Sequence, residues 1–259
     1  MFHLLIEEKG SALLLTLNRP EVLNALSMEL TEALLAAVKG ATERRHIRTI
    51  IITGAGTKAF SAGTDLKQRR DFSPDEKWAQ SRSLWSLTEA IRSSPKAVIA
   101  AVGGWCLGGG FELALACDLR IAADDARFAW PEMTLGAYPG AGAAVMLPRL
   151  IGSAAAKELF FTAARRIDAA KAHAIGLVQA VTPRDQLMET AFAYAADIEH
   201  TSPRGRAGVK QVVNQASDLP WEEAVRLDQA VRRPLEGTRD YAEGIQAHFE
   251  KRRPVFIGE

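Results

Sequence analysis

Ala97-Val98-Ile99-Ala100-Ala101-Val102-Gly103-Gly104-Trp105-Cys106-Leu107-Gly108-Gly109-Gly110-Phe111-Glu112-Leu113-Ala114-Leu115-Ala116 carries the plan of the chain in miniature. Its first fifteen residues have no charge and hold five glycines, which is too short and too glycine-rich for a bilayer span. The opening apolar run reads as a buried strand, and Phe111 to Ala116 as a good helix former. A strand that turns through side-chain-free backbone into a helix exposes peptide N–H groups and the positive end of a helix dipole. Such a turn suits a ligand that must come close, a phosphate or a developing oxyanion. The same glycines are equally compatible with tight packing of strand on helix.

Working outward, Ser11 to Asn18 (S-A-L-L-L-T-L-N) and Arg48 to Thr53 (R-T-I-I-I-T) read as buried strands closed by Asn18-Arg19-Pro20 and Gly54-Ala55-Gly56. Between them Ser27 is placed to cap a helix with Met28, Leu30, Leu34, Leu35 and Val38 at helical spacing, stopping near Gly40. Strand, helix, strand predicts a right-handed βαβ unit. The polar stretch from Asp71 to Ser94 predicts an amphipathic helix with Trp78 and Trp85 on one face, and Leu119-Arg120-Ile121-Ala122 a further strand. Beyond Pro148 the pattern turns helical, with periodic segments near 153–164, 168–175, 184–199, 203–216, 220–232 and 238–251. The expected organisation is an α/β core over residues 1–195 and a helical region over 196–259, which packs on its own core or on a neighbour.

The chain has 259 residues, and its 32 basic against 31 acidic residues leave a formal net charge of +1. No global field selects nucleic acid or an anionic membrane, so neither is expected as a partner. Cys106 and Cys117 match neither a disulfide framework nor C-x-x-C metal spacing, and no metal site is expected. The first residues, Met1-Phe2-His3-Leu4-Leu5-Ile6-Glu7-Glu8, lack a basic n-region, and a reducing cytoplasm is the expected compartment.

Two motifs invite other readings. Gly54-x-Gly56-x-x-Ala59 matches a loose dinucleotide fingerprint, but that motif needs a helix to open at once, and Phe60-Ser61-Ala62-Gly63 delays one to about Asp65. Ala59-x-Ser61-x-Gly63 resembles a nucleophile elbow, with His173, His200 and His248 as possible bases, none singled out by its context. A third feature is Trp130-Pro131-Glu132-Met133 before the loop Leu135-Gly136-Ala137-Tyr138-Pro139-Gly140-Ala141-Gly142. Glu132 and Glu112 together form a candidate carboxylate pair able to handle protons on two sides of one reacting group, provided apolar surroundings shift their pKa values.

In order along the chain stand Asn18-Arg19-Pro20-x-x-x-Asn24-Ala25-Leu26, Ala59-Phe60-Ser61-Ala62-Gly63-Thr64-Asp65-Leu66, Gly108-Gly109-Gly110-Phe111-Glu112-Leu113-Ala114, Ala116-Cys117-Asp118 and Pro131-Glu132-x-x-x-Gly136-x-x-Pro139-Gly140. This order resembles the crotonase family, the enoyl-CoA hydratases and isomerases, over nearly the whole chain. The resemblance implies a spiral core of repeated ββα units (the ClpP/crotonase fold) with a C-terminal helical trimerisation region, assembled as a homotrimer or dimer of trimers. It implies an oxyanion hole from the backbone N–H groups of Thr64 and Gly109, with Glu112 and Glu132 as catalytic residues of a hydratase. No permanently bound cofactor is implied; a coenzyme A thioester is the substrate. Ala62, Asp65, Leu66, Lys67 and Lys251 fall at substrate-binding positions, with Arg69 and Arg70 as further phosphate candidates. His248 stands where the family has an aromatic residue. After Gly142 the chain departs to Ala143-Ala144-Val145-Met146-Leu147, a more apolar floor. Trp85, Trp130 and Tyr138 are therefore candidates for an acyl pocket shaped for a cyclic, branched or aromatic-bearing group, or else core residues. The alternatives within the family are a Δ3,Δ2-enoyl-CoA isomerase, which needs one base, or another acyl-CoA enolate reaction; outside it, a non-enzymatic RNA-binding or scaffold protein.

Overall fold

A computed structural model describes residues 3–163 and 165–259. Leu4–Lys9 (β1) and Ala12–Leu17 (β2) form an antiparallel hairpin, after which Ser27 caps helix α1 (Met28–Glu43) by accepting from the Leu30 amide. From here a unit repeats. Thr49–Gly54 (β3) leads to the short strand Ala59–Ser61 (β4) and the helices Leu66–Arg70 (α2) and Pro74–Ser93 (α3). Ala97–Val102 (β5) leads to Trp105–Leu107 (β6) and Gly109–Ala116 (α4). Leu119–Ala123 (β7) leads to Arg127–Ala129 (β8), a 3-10 helix over Pro131–Leu135 and helix Ala143–Ile151 (α5). Helix Ser153–Phe161 (α6), strand Ile167–Asp168 (β9), helix Ala169–Ala174 (α7) and strand Ala180–Thr182 (β10) complete the core.

The long strand of each repeat enters a six-stranded sheet of order β1-β2-β3-β5-β7-β10, parallel except for β1. The short strand enters a second sheet, β4-β6-β8-β9. This is the ββα spiral. Strands buried on both faces need apolar residues at every position, and the run Ile50-Ile51-Ile52 is fully buried. One face of the large sheet meets the main core with α1, α3 and α4; the other is covered by helix Leu187–Glu199 (α8) through Leu187, Ala191 and Ala195. Three helices follow, Pro203–Ala216 (α9), Trp221–Arg232 (α10) and Arg239–Phe249 (α11).

Two expectations need correcting. The buried stripe of α3 is Gln80, Leu84, Leu87, Thr88 and Ile91, leaving Trp78 at 68% and Trp85 at 48% exposure on its outer side. Helix α5 starts ahead of the expected helical region and contains Pro148 as its sixth residue; a single missing N–H is tolerated inside this short, strongly one-sided helix. The small sheet is anticipated by the resemblance to a ββα spiral and not by any local pattern, because three-residue strands show no periodicity.

Candidate active site

The ends of β4 and β6 bring two glycine-rich loops into contact. A β-carbon on Gly63 would meet the Leu107 carbonyl at 2.8 Å and the Gly109 nitrogen at 2.9 Å. Leu26 bridges Thr64 in parallel register, donating to the Gly63 carbonyl (2.8 Å) and accepting from the Asp65 amide (3.0 Å). In extended chain this turns the Thr64 N–H to the opposite side, toward Gly109. The point that a Gly109 β-carbon would occupy lies 3.3 Å from the Thr64 nitrogen. Gly109 opens α4, so its N–H has no intrahelical acceptor and sits at the positive end of the helix dipole. Two N–H groups thus border one small space, the geometry that stabilises an oxyanion.

The Asn18-Arg19-Pro20-x-x-x-Asn24 motif holds this loop in place. Asn24, at φ 54°, accepts from the Arg19 amide (3.0 Å) and donates to the carbonyls of Ala55 (3.0 Å) and Ala59 (2.9 Å). Arg19 donates to the Ala25 carbonyl at 2.7 Å and pairs with Asp65 at 2.8 Å. Asp65 also caps α2, accepting from the amides of Lys67 and Gln68. Burial pushes its carboxyl up, but Arg19 and these amides outweigh that and hold it below the usual carboxylate range. Asp65, expected to bind substrate, therefore has its carboxylate committed to the fold. Asn24→Ala is expected to destabilise the protein by about 3 kcal/mol or more, since it strands buried backbone groups and puts alanine at positive φ. Urea unfolding midpoints check this.

Glu112 sits in the first turn of α4, 2% exposed, its Oε1 accepting from the amides of Ala141 (2.7 Å) and Ala143 (3.2 Å). Ala143 is the first residue of α5, so the carboxyl also lies at that helix's N-terminus. Burial pushes Glu112 up to about 7; the two amides pull against this, and Glu132 adds to it. Glu132 enters from the 3-10 helix after β8, where Pro131 fixes the first backbone angle. Burial raises it too, partly offset by its own N–H and that of Gly109. Its Oε2 is buried without a hydrogen-bond partner. A β-carbon on Gly108 would coincide with the Glu132 carboxylate, so this glycine, at φ 49°, is the seat of the second glutamate. Sequence reasoning singled out the glycine run but not this purpose.

The remaining expected residues separate. Trp130 is fully buried, stacked on Phe111 (4.5 Å between centroids) and 5.0 Å from Phe160; it is core, not pocket wall. Tyr138 is 73% exposed. Trp85 lines a cavity of about 190 Å³ with Thr88, Ala141, Gly142, Val145 and Met146, whose mouth carries the Arg149–Asp218 ion pair. Ala62 donates its N–H to the Leu23 carbonyl, and exposed Leu66 and Lys67 follow on α2. Arg69 turns inward onto the Lys77 carbonyl and Gln80, and Arg70 pairs with its neighbour Asp71, so both are engaged within the chain. Lys251 lies beyond α11 at φ 54°, exposed like His248. Ser61 is fully buried, its hydroxyl donating to the Asn24 carbonyl and accepting from the Gly63 amide, which removes the nucleophile reading. No helix opens after Gly54-Ala55-Gly56, which removes the dinucleotide reading. Among the described residues no cluster of three or more His, Cys, Asp or Glu is placed to hold a metal, and no helix is long and apolar enough to cross a membrane.

Comparison with known proteins agrees with this geometry. Residues 7–259 match the family described as enoyl-CoA hydratase/isomerase. A Bacillus subtilis relative carrying the provisional name enoyl-CoA hydratase/isomerase YngF is 42% identical over 246 residues, 95% of this chain and 94% of its own length. The short-chain-enoyl-CoA hydratase of Clostridium acetobutylicum is 34% identical over 251 residues, 97% of this chain and 96% of its own. The crystal structure of an enoyl-CoA hydratase from Bacillus anthracis superposes over the full length of both chains with a TM-score of 0.97 at 36% identity.

Proposed function

The chain belongs to the enoyl-CoA hydratase/isomerase family, and on that premise we propose that it is a hydratase adding water across the 2,3-double bond of an enoyl-CoA thioester. The observation that carries this reading is the pair of buried carboxyls, Glu112 and Glu132, beside the amides of Thr64 and Gly109. An isomerase shuttling one proton between carbons needs a single base. Addition of water needs a group to take a proton from the attacking oxygen and a source of the proton for the α-carbon, which two carboxyls supply.

In this reading the thioester oxygen lies between the Thr64 and Gly109 N–H groups. Glu112, held at Oε1, and Glu132, with its Oε2 free of protein partners, bind one water between them. The water O–H breaks toward Glu132 as its oxygen bonds to the β-carbon. The double-bond electrons move onto the thioester as an enolate, and a proton from the carboxyl pair closes the reaction at the α-carbon. Near pH 7 a carboxyl at about 7 is present in both protonation states, which suits it to this exchange. Crotonyl-CoA incubated with the protein is expected to gain the mass of one water while its conjugated-thioester absorbance falls. Conversion of a 3-enoyl-CoA to its 2-enoyl isomer without water gain assigns the chain to isomerisation instead. Val209, Val213, Trp221 and Phe249, each at least 64% exposed on the C-terminal helices, support assembly as a homotrimer or dimer of trimers.

The shifted carboxyl also affects stability. Glu112 binds its proton more tightly folded, at about 7, than unfolded at its ordinary 4.5, so stability is lost as pH rises between these values. Glu112→Gln removes this dependence while keeping an oxygen for the two amides. Its stability relative to the parent is expected to improve by about 3 kcal/mol between pH 4.5 and 8. Guanidinium unfolding at both pH values measures this gap, and a gap that narrows as pH rises would contradict it.

A further inference from the structure

The two amides that hold Glu112 belong to a turn, Ala141-Gly142-Ala143, whose own anchoring comes from α3. Thr88 is 1% exposed, and its Oγ1 lies 3.2 Å from the Ala141 carbonyl and 2.9 Å from the Trp85 carbonyl one helical turn back. Ala141 thus shares the single Thr88 hydroxyl proton with the Trp85 carbonyl, and donates to Glu112 through its own N–H, on neighbouring peptide units. Gly142, at φ 97°, has no room for a side chain, because a β-carbon there would lie 2.8 Å from Cζ3 of Trp85. The turn is therefore held by one shared hydrogen bond and one ring edge, both from the same stretch of α3. A hydroxyl in the buried stripe of an amphipathic helix costs desolvation unless it is used, and among the described residues its non-local partner is this turn.

We propose that Thr88 is a positioning residue that, through the Ala141-Gly142-Ala143 turn, sets how firmly Glu112 is held by its two amide donors. Without the Thr88 hydroxyl the Ala141 carbonyl loses a buried donor and the turn relaxes. The Ala141 and Ala143 amides then stabilise the Glu112 carboxylate less, and the carboxyl keeps its proton to higher pH. The charged groups around it are Glu132, from the 3-10 helix on the site side, and, at the mouth of the cavity beyond the turn, Glu89 and Arg92 of α3, Arg149 of α5 and Asp218 after α9. Thr88→Val alters none of these charges.

The test follows the proton on Glu112 directly. The infrared band of the protonated carboxyl, assigned by its loss in Glu112→Gln, is titrated in the parent, Thr88→Val and Thr88→Ser. The valine variant is expected to keep the band to a pH about half a unit higher, and serine to restore the parent titration. Thr88→Ala, smaller and unable to clash, repeats the measurement if valine disturbs folding. An unshifted band in valine and alanine, or a serine variant that behaves like valine, overturns the proposal. The kinetic arm rests on the hydratase reading: kcat for crotonyl-CoA at pH 7 is expected to fall about twofold in Thr88→Val with KM little changed. A shifted band with unchanged kcat upholds the positioning role and counts against Glu112 as a catalytic group, so the two claims fail separately.

Discussion

Glu132→Gln is expected to lower kcat for hydration of crotonyl-CoA by about 10³ to 10⁴ while leaving KM within a few-fold of the parent. The substitution keeps the size of the side chain and its place over Gly108, but an amide cannot take a proton from water. In the proposed reading the thioester oxygen is held by backbone N–H groups, and glutamine keeps an oxygen beside the Gly109 N–H, so the loss belongs to the chemical step. The buried Oε2 without a protein partner makes this prediction specific. A carboxylate kept for structure has both oxygens satisfied, as Asp65 has by Arg19 and the α2 amides. Glu132 instead combines burial, a raised proton affinity and an unused oxygen. The measurement is steady-state kinetics across pH 6 to 9 with the product identified by mass. A glutamine variant retaining more than about a tenth of the parent kcat removes Glu132 from the chemistry.

What could be read from the chain beforehand divides along physical lines. Strands of the large sheet are buried on both sides, so they announce themselves as mainly apolar runs closed by turn-forming or polar residues, and β2, β3, β5 and β7 lie where those runs are. Strands β4, β6 and β8 have three residues each and are made strands by partners distant in sequence, so nothing local marks them. Helix α5 was hidden by Pro148, because proline argues against a helix when it stands inside one. At the candidate site, Glu112 and Glu132 stand out in the chain because a charge set among glycines and apolar residues is conspicuous. Their partners were not, because the amides of Ala141 and Ala143 are backbone groups that any residue would supply. Aromatic residues near the motifs misled in the opposite sense: Trp130 sits beside Glu132 in sequence, yet its ring stacks on Phe111 in the core. Thr88 carried a faint signal, a hydroxyl within the buried stripe Leu84, Leu87, Thr88, Ile91.

Gly108→Ala is expected to cost at least two orders of magnitude in kcat without any catalytic side chain being replaced. The methyl group would occupy the position of the Glu132 carboxylate, and the backbone there is already at φ 49°, where an L side chain is strained. The backbone strain alone is worth about 1 to 3 kcal/mol of stability and does not by itself stop chemistry. Gly152→Ala provides the comparison: φ is 82°, nothing lies within 4 Å of the added carbon, and the site is elsewhere, so stability falls and kcat holds. If the loss in Gly108→Ala comes from unseating Glu132, it is expected to vanish in the Glu132→Gln background, where the carboxylate has no function left to lose. The double variant then turns over at close to the rate of Glu132→Gln alone. Rates that multiply instead would mean that Gly108 acts through the neighbouring Gly109 N–H, by moving the oxyanion hole and not the base. The same four proteins therefore locate the purpose of the glycine run in either the carboxylate or the amide.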